Sequence, residues 1–212
     1  MGVMALPVLK KRKVWHVGDL SKARRRVSSS LEGSGLSVSE HPEEWTEIAR
    51  LGGYTTYVLR RRDGQPGVFV NMLRLGQQRA ALEQAAADEG LLKHARRWRF
   101  VWWDSEDEVE RCSLHNTRAD ATYEAEDEYL DGRVEPVEIF VGTTKLDALW
   151  SNYFTSPLDD TLASDFAVLL LLERFGSYDG AWWNEILDPA GLSAPRGAIF
   201  QTRLPEWVAT PV

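Results

Sequence analysis

Apolar positions along the chain switch between a two-residue and a 3.6-residue period. Residues 36–39, Leu-Ser-Val-Ser, alternate apolar and polar as a half-buried strand does. Residues 14–17 form a short apolar run and residues 54–59 a β-rich one, so both are predicted strands. The turn formers Asp63-Gly64-Gln65-Pro66-Gly67 precede an apolar run over 68–73, a pattern that predicts a hairpin. Aromatic-rich residues 98–103 and the run 137–141 read as further strands. Helical spacing appears in three places. Pro42 opens a segment carrying Trp45, Ile48, Ala49 and Leu51, with Ser39 or His41 near its cap and Gly52-Gly53 at its end. Residues 77–87 are alanine-rich. Residues 161–175 place Phe166, Leu169, Leu170 and Phe175 on helical spacing, with Gly176 as a stop.

Between these elements, residues 1–9 read as a loose lead-in. Residues 19–35 read as a basic, serine-rich loop, and 104–133 as an acidic loop or insertion with too few apolar residues to pack. The tail from 180 to 212 mixes short strands with Pro and Gly turns. No repeat and no long linker interrupts residues 1–212, which are read as a single domain. The order of elements is not a regular βα alternation. It predicts an α+β fold, with mixed or antiparallel sheets and a few flanking helices.

Charge changes this picture. Residues 1–100 carry 18 Lys+Arg against 10 Asp+Glu, and the remainder carries 7 against 22. Basic clusters lie at 10–13, 24–26 and 60–62. Such clusters read either as solvated surface or as a site for a phosphate-bearing anion. Cys112, the single cysteine, cannot form an internal disulfide. No apolar run reaches membrane-span length, and the charges follow the first apolar stretch where a signal peptide has them before it. These features predict a cytoplasmic protein with no membrane partner.

Nucleotide-loop, hydrolase and zinc-protease motifs are absent. The histidines at 16, 41, 94 and 115 have no metal-ligand spacing, so no metal site is predicted. Two segments carry chemistry. In the first, Val14-Trp15-His16-Val17-Gly18 is followed by Gly35-Leu36-Ser37-Val38-Ser39. His16 can hydrogen-bond a hydroxyl, Gly18 lets backbone approach a ligand, and Ser37 and Ser39 can orient a wall. The plain alternative is a buried histidine satisfied by backbone. In the second, Trp182-Trp183-Asn184-Glu185 joins a stacking surface to a carboxylate. Arg196, between Pro195 and Gly197, can clamp a phosphate or pair with Glu185.

The first segment resembles the opening of the ADP-ribosyltransferase superfamily, which includes bacterial toxins and the related tRNA 2′-phosphotransferases. Its members begin with a Tyr/Trp-His-x-Gly strand, then a Gly-(Leu/Ile)-x-(Val/Phe)-(Ser/Ala) strand and a helix. The likeness covers roughly residues 14–50, with weaker support over 180–200. It implies a split β-sandwich and NAD as substrate. By that resemblance His16 contacts a ribose of NAD, Tyr54 or Tyr57 stacks on nicotinamide, and Glu185 holds the reacting ribose, with Glu128 and Glu138 as competitors. Gly18, Ser37, Ser39, Trp183 and Arg196 would line the cofactor site, with Arg24 to Arg26 or Arg196 near the pyrophosphate. The paired-glutamate pattern of arginine-modifying members is missing at Glu185.

The expected activity is therefore NAD-dependent ADP-ribosyl transfer to a protein or nucleic acid, in a toxin or phage-defence effector that an antitoxin or inhibitor protein could restrain. Two other readings stay open: a non-enzymatic interaction protein, such as an antitoxin or phage-encoded binding module, and an RNA-processing transferase or nuclease.

Overall fold

The computed structural model describes residues 5–20, 35–48, 50–106, 108–127, 131–183 and 196–212. Its elements are β1 (Val8–Lys11), β2 (Val14–Val17), β3 (Leu36–Ser39), α1 (Pro42–Ile48), β4 (Thr56–Arg61), β5 (Gly67–Asn71), α2 (Gln77–Asp88), β6 (Leu92–Asp104), β7 (Val109–His115), α3 (Arg118–Asp127), β8 (Gly132–Gly142), α4 (Thr144–Trp150), α5 (Asp160–Phe175), β9 (Gly180–Trp182), β10 (Arg196–Ile199) and β11 (Trp207–Pro211). The fold is α+β. Eight strands form one mixed sheet in the order β1-β5-β9-β10-β3-β2-β4-β11, and β7-β6-β8 form a second, antiparallel sheet. Within the larger sheet β5 and β9 run parallel.

Connectivity makes the larger sheet curl. Four strands lie between β1 and β2 in sheet order. In a flat sheet that would separate them by about 24 Å. Yet only Arg12 and Lys13 join β1 to β2 in the chain, a link that spans at most about 11 Å. The sheet therefore bends until the end of β1 meets the start of β2. The concave face this creates carries a buried cluster of Val14, Leu36, Val38, Leu59, Phe69, Trp182, Ile199 and Trp207.

Helix α5 joins the two halves of the core. Val168, Leu169 and Leu172 pack against Val70, Ala181 and Ala198 on the convex face of the curled sheet. Phe166, Ala167 and Leu171 pack with Leu92 of β6 and with Leu146 and Trp150 of α4. A helix apolar on more than one side is buried on more than one side. Its ends are set by polar chemistry: the Asp159 side chain accepts from Leu162 N, and Gly176 closes the helix at φ 66°, a left-handed conformation that glycine adopts without strain.

Several expectations need correction. The hairpin over 54–73 does not form, because β4 pairs with β2 and β11 while β5 pairs with β1 and β9. Asp179 intervenes: its Oδ2 accepts Val68 N at 2.7 Å, so the start of β5 is bonded toward β9. The turn residues specify a change of direction, not a neighbour. Helix α1 stops at Ile48, short of Leu51, and Arg50 takes φ 53°. Strand β1 begins inside the expected lead-in. Residues 104–133 hold β7 and α3 rather than a loop. Strand β7 is paired along its length with β6 and tied further by polar links, Arg111 to Asp104 at 2.5 Å and Arg133 to Glu110 at 3.2 Å, which apolar periodicity does not reveal. Residues 21–34 of the expected basic loop lie outside the described residues.

Candidate functional site

His16 sits on β2 opposite Tyr57 of β4. Its Nδ1–H donates to the Ser37 carbonyl at 2.8 Å. That bond fixes the ring and leaves Nε2 as the acceptor nitrogen of the neutral imidazole. Nε2 is buried and has no hydrogen-bond partner among the described residues. Gly18 stands beside it: at φ +139°, a Cβ there would lie 3.2 Å from Nε2. Gly18 N donates to Thr55 O at 3.0 Å, which pins the strand end. The His-x-Gly spacing thus has a local cause, since only glycine combines this φ with room for the imidazole.

Burial lowers the His16 pKa from its ordinary 6.5, outweighing the Ser37 carbonyl bond and the Asp19 charge that raise it. The unfolded chain therefore takes up this proton first as pH falls, and stability drops with it. Urea midpoints of the wild type should decline between about pH 7 and pH 5, and His16→Gln should flatten that decline. An unchanged slope in the variant would show that other groups set it.

The sheet register sorts the remaining candidates. His16 and Tyr57 are direct partners, so they share the concave face. Trp15 is opposite Ser39 and Ser39 is opposite Arg196, which puts these three on the convex face. Ser37, opposite Ala198, is also convex, and it reaches His16 only through its carbonyl. Ser39 is fully buried, and its Oγ accepts His41 N at 3.0 Å, which ties β3 to the entry of α1. The Arg196 guanidinium lies 5.9 Å from the Trp45 ring centroid. Trp183 is packed in the cluster with α5, and its N donates to Arg196 O at 2.9 Å. Tyr54 is exposed ahead of β4, while Tyr57 packs partly buried against the concave core. Glu185, Glu128 and Arg24 to Arg26 lie outside the described residues. Glu138 lies opposite Arg96 in the three-stranded sheet, not on the sheet that carries His16.

A second polar cluster escapes the sequence patterns. A cavity of about 630 Å³ is lined by Arg97, Leu114, His115, Asp120, Asp159 and Asp160, among others. Arg97 Nε donates to Asp160 at 2.8 Å. His115 Nε2 meets the Glu124 carboxylate, and Ser113 Oγ lies 2.9 Å from the same nitrogen and 2.6 Å from Glu124. A serine–histidine–acid relay needs its two partners on opposite ring nitrogens. Here both share Nε2, so the trio fastens α3 to β7. Only the helix-to-strand contact reveals it, because β7 and α3 lack apolar periodicity. Among the described residues, no cluster of His, Cys, Asp or Glu could hold a metal ion, and no helix is long and apolar enough to cross a membrane.

No protein family, no curated protein and no solved structure matches the chain.

Proposed function

We propose that this chain is an NAD-dependent ADP-ribosyltransferase that modifies a macromolecule, acting as a bacterial toxin or phage-defence effector. In this reading its curled sheet and smaller second sheet are a variant of the split β-sandwich. The supporting observation is the His16 imidazole, held through Nδ1 by Ser37 and carrying a buried acceptor nitrogen without a partner among the described residues. A buried polar atom left open in this way suits a hydroxyl donor from a ligand, such as a ribose. Of the two tyrosines we assign Tyr57, the cross-strand partner of His16 on the same face, to stack on nicotinamide. Ser39 and Trp183 also make structural contacts, Ser39 to the entry of α1 and Trp183 in the cluster with α5.

In the reaction, the bond between ribose C1′ and the nicotinamide nitrogen breaks, and its electron pair leaves with neutral nicotinamide. The carboxylate of Glu185 stabilises the oxocarbenium charge that develops on the ribose. An acceptor nucleophile then bonds to C1′ and gives up its proton. A restraining antitoxin or inhibitor protein belongs with this reading.

The test is incubation of the pure protein with labelled NAD and protein, DNA or RNA acceptors. Glu185→Gln should cost about 2–4 kcal/mol of transition-state stabilisation, roughly 30- to 1,000-fold in turnover. His16→Ala should also lower turnover while leaving the circular dichroism spectrum intact. Wild-type protein that leaves NAD intact with every acceptor would sink the proposal in favour of an interaction module. Full turnover in Glu185→Gln would remove that residue alone.

A further inference from the structure

We infer that the seam where β1 meets β2 and β4 binds the phosphate backbone of nucleic acid. This inference stands apart from the transfer chemistry. The two basic runs at 10–13 and 60–62 are 50 positions apart in the sequence, yet the topology brings them together. Residues 10–13 lead directly from β1 into β2. Val14 is paired with Leu59, so the next positions outward along that ladder are Lys13 and Arg60.

Strand alternation then divides the cations by role. Lys11 and Arg61 are the shielded ones. Lys11 pairs with Glu40 at 2.6 Å, and Arg61 pairs with Asp179, Asp63 and Glu206. Lys10, Arg12, Lys13, Arg60 and Arg62 are exposed. None of these five has a carboxylate partner among the described residues. Arg62 donates through Nε to Pro205 O at 2.9 Å and so keeps its charge at the surface. The Lys13 ammonium rests 4.7 Å from the Trp15 ring centroid, which sets it against the sheet. Asp63, Glu40 and Glu206 are already engaged by Lys11, Arg61 and Arg203.

The chain as a whole carries −7. A cluster of cations without carboxylate partners among the described residues, on an acidic protein, is therefore a local feature, and its complement is a polyanion. A strand of phosphates at regular spacing fits a row of cations projecting from adjacent strands. Such contacts release counterions, so affinity should fall steeply with salt.

The experiment uses the full chain and a short labelled duplex DNA of mixed sequence, with binding followed by fluorescence anisotropy between about 50 and 200 mM salt. Lys13→Glu with Arg60→Glu should abolish most binding at low salt. The milder Lys13→Gln with Arg60→Gln should make the slope of log K against log salt shallower by about two phosphate contacts. Lys13 and Arg60 are exposed and have no carboxylate partner among the described residues, so thermal melting should stay near wild type and separate lost binding from lost folding. Three results would each overturn the inference: no wild-type binding at low salt, the same slope in the glutamine pair, or uptake on phosphatidylserine vesicles equal to that on DNA.

Discussion

Asp179→Ala is expected to lower the unfolding free energy by about 3–5 kcal/mol, the range for removing one partner of a buried ion pair. Asp179 is 2% exposed and stands just before β9. Its Oδ1 receives Arg61 Nη1 at 2.5 Å, and its Oδ2 receives Val68 N at 2.7 Å. Its own backbone adds two bonds, N to Val68 O at 2.7 Å and O from Phe200 N at 2.9 Å. One carboxylate thus links three strands, with Arg61 at the end of β4, Val68 in β5 and β9 behind it. Truncation leaves Val68 N without its partner and Arg61 with Asp63 and Glu206 as its carboxylate partners among the described residues. Asp63 is the natural control. Its carboxyl is held down to about 2, first by the Arg61 side chain and then by the Gln65 amide. It is solvated, however, and Asp63→Ala should shift the urea midpoint far less. Equal losses from the two variants would show that the turn, not the strand junction, carries the stability.

Trp182→Ala is expected to cost a further about 3–5 kcal/mol, because a large buried aromatic leaves a cavity that the strands cannot close. Trp182 is fully buried. Its ring meets Phe69 edge-on at 5.6 Å between centroids, and the Lys11 ammonium lies 4.6 Å from its own centroid. Gly197 lies beneath the indole: a Cβ there would come 2.4 Å from Trp182 Cε3 and 2.5 Å from Ala181 O. Glycine at 197 is therefore what lets the ring lie flat on β10. Gly197→Ala should destabilise the wild type strongly and the Trp182→Ala background less, with a residual cost from the Ala181 carbonyl. A double-mutant cycle from denaturant melts measures that coupling. Strictly additive losses would mean that the indole and Gly197 act independently.

Much of the fold is legible along the chain where one face is apolar. Strand β3 and helix α5 show themselves because half their positions enter the core. The His16-x-Gly18 spacing is legible because a backbone φ and a close approach both demand glycine at 18. Other parts are hidden for physical reasons. β7 and α3 are largely solvated and held by polar pairs, so they resemble an acidic loop. Strand β1 is only four residues long. The division of His16 and Tyr57 from Ser37, Ser39 and Arg196 depends on strand pairing, and a segment read alone does not contain its partners. Tyr54 and Tyr57 are equivalent in sequence, and only register separates them. Trp183 reads as a stacking surface from its neighbours, but the position of α5 makes it core.

The parallel pairing of β5 with β9 bears on how the chain finds this arrangement. Val68 and Asp179 are 111 residues apart, and bringing such distant points together costs about 4 kcal/mol of chain entropy before any contact offsets it. The antiparallel trio β6, β7 and β8, by contrast, joins neighbours in sequence and can assemble early. Topologies dominated by distant pairings are slow to reach. During that delay the future interior of the curled sheet is open to water, and to other chains in the same condition.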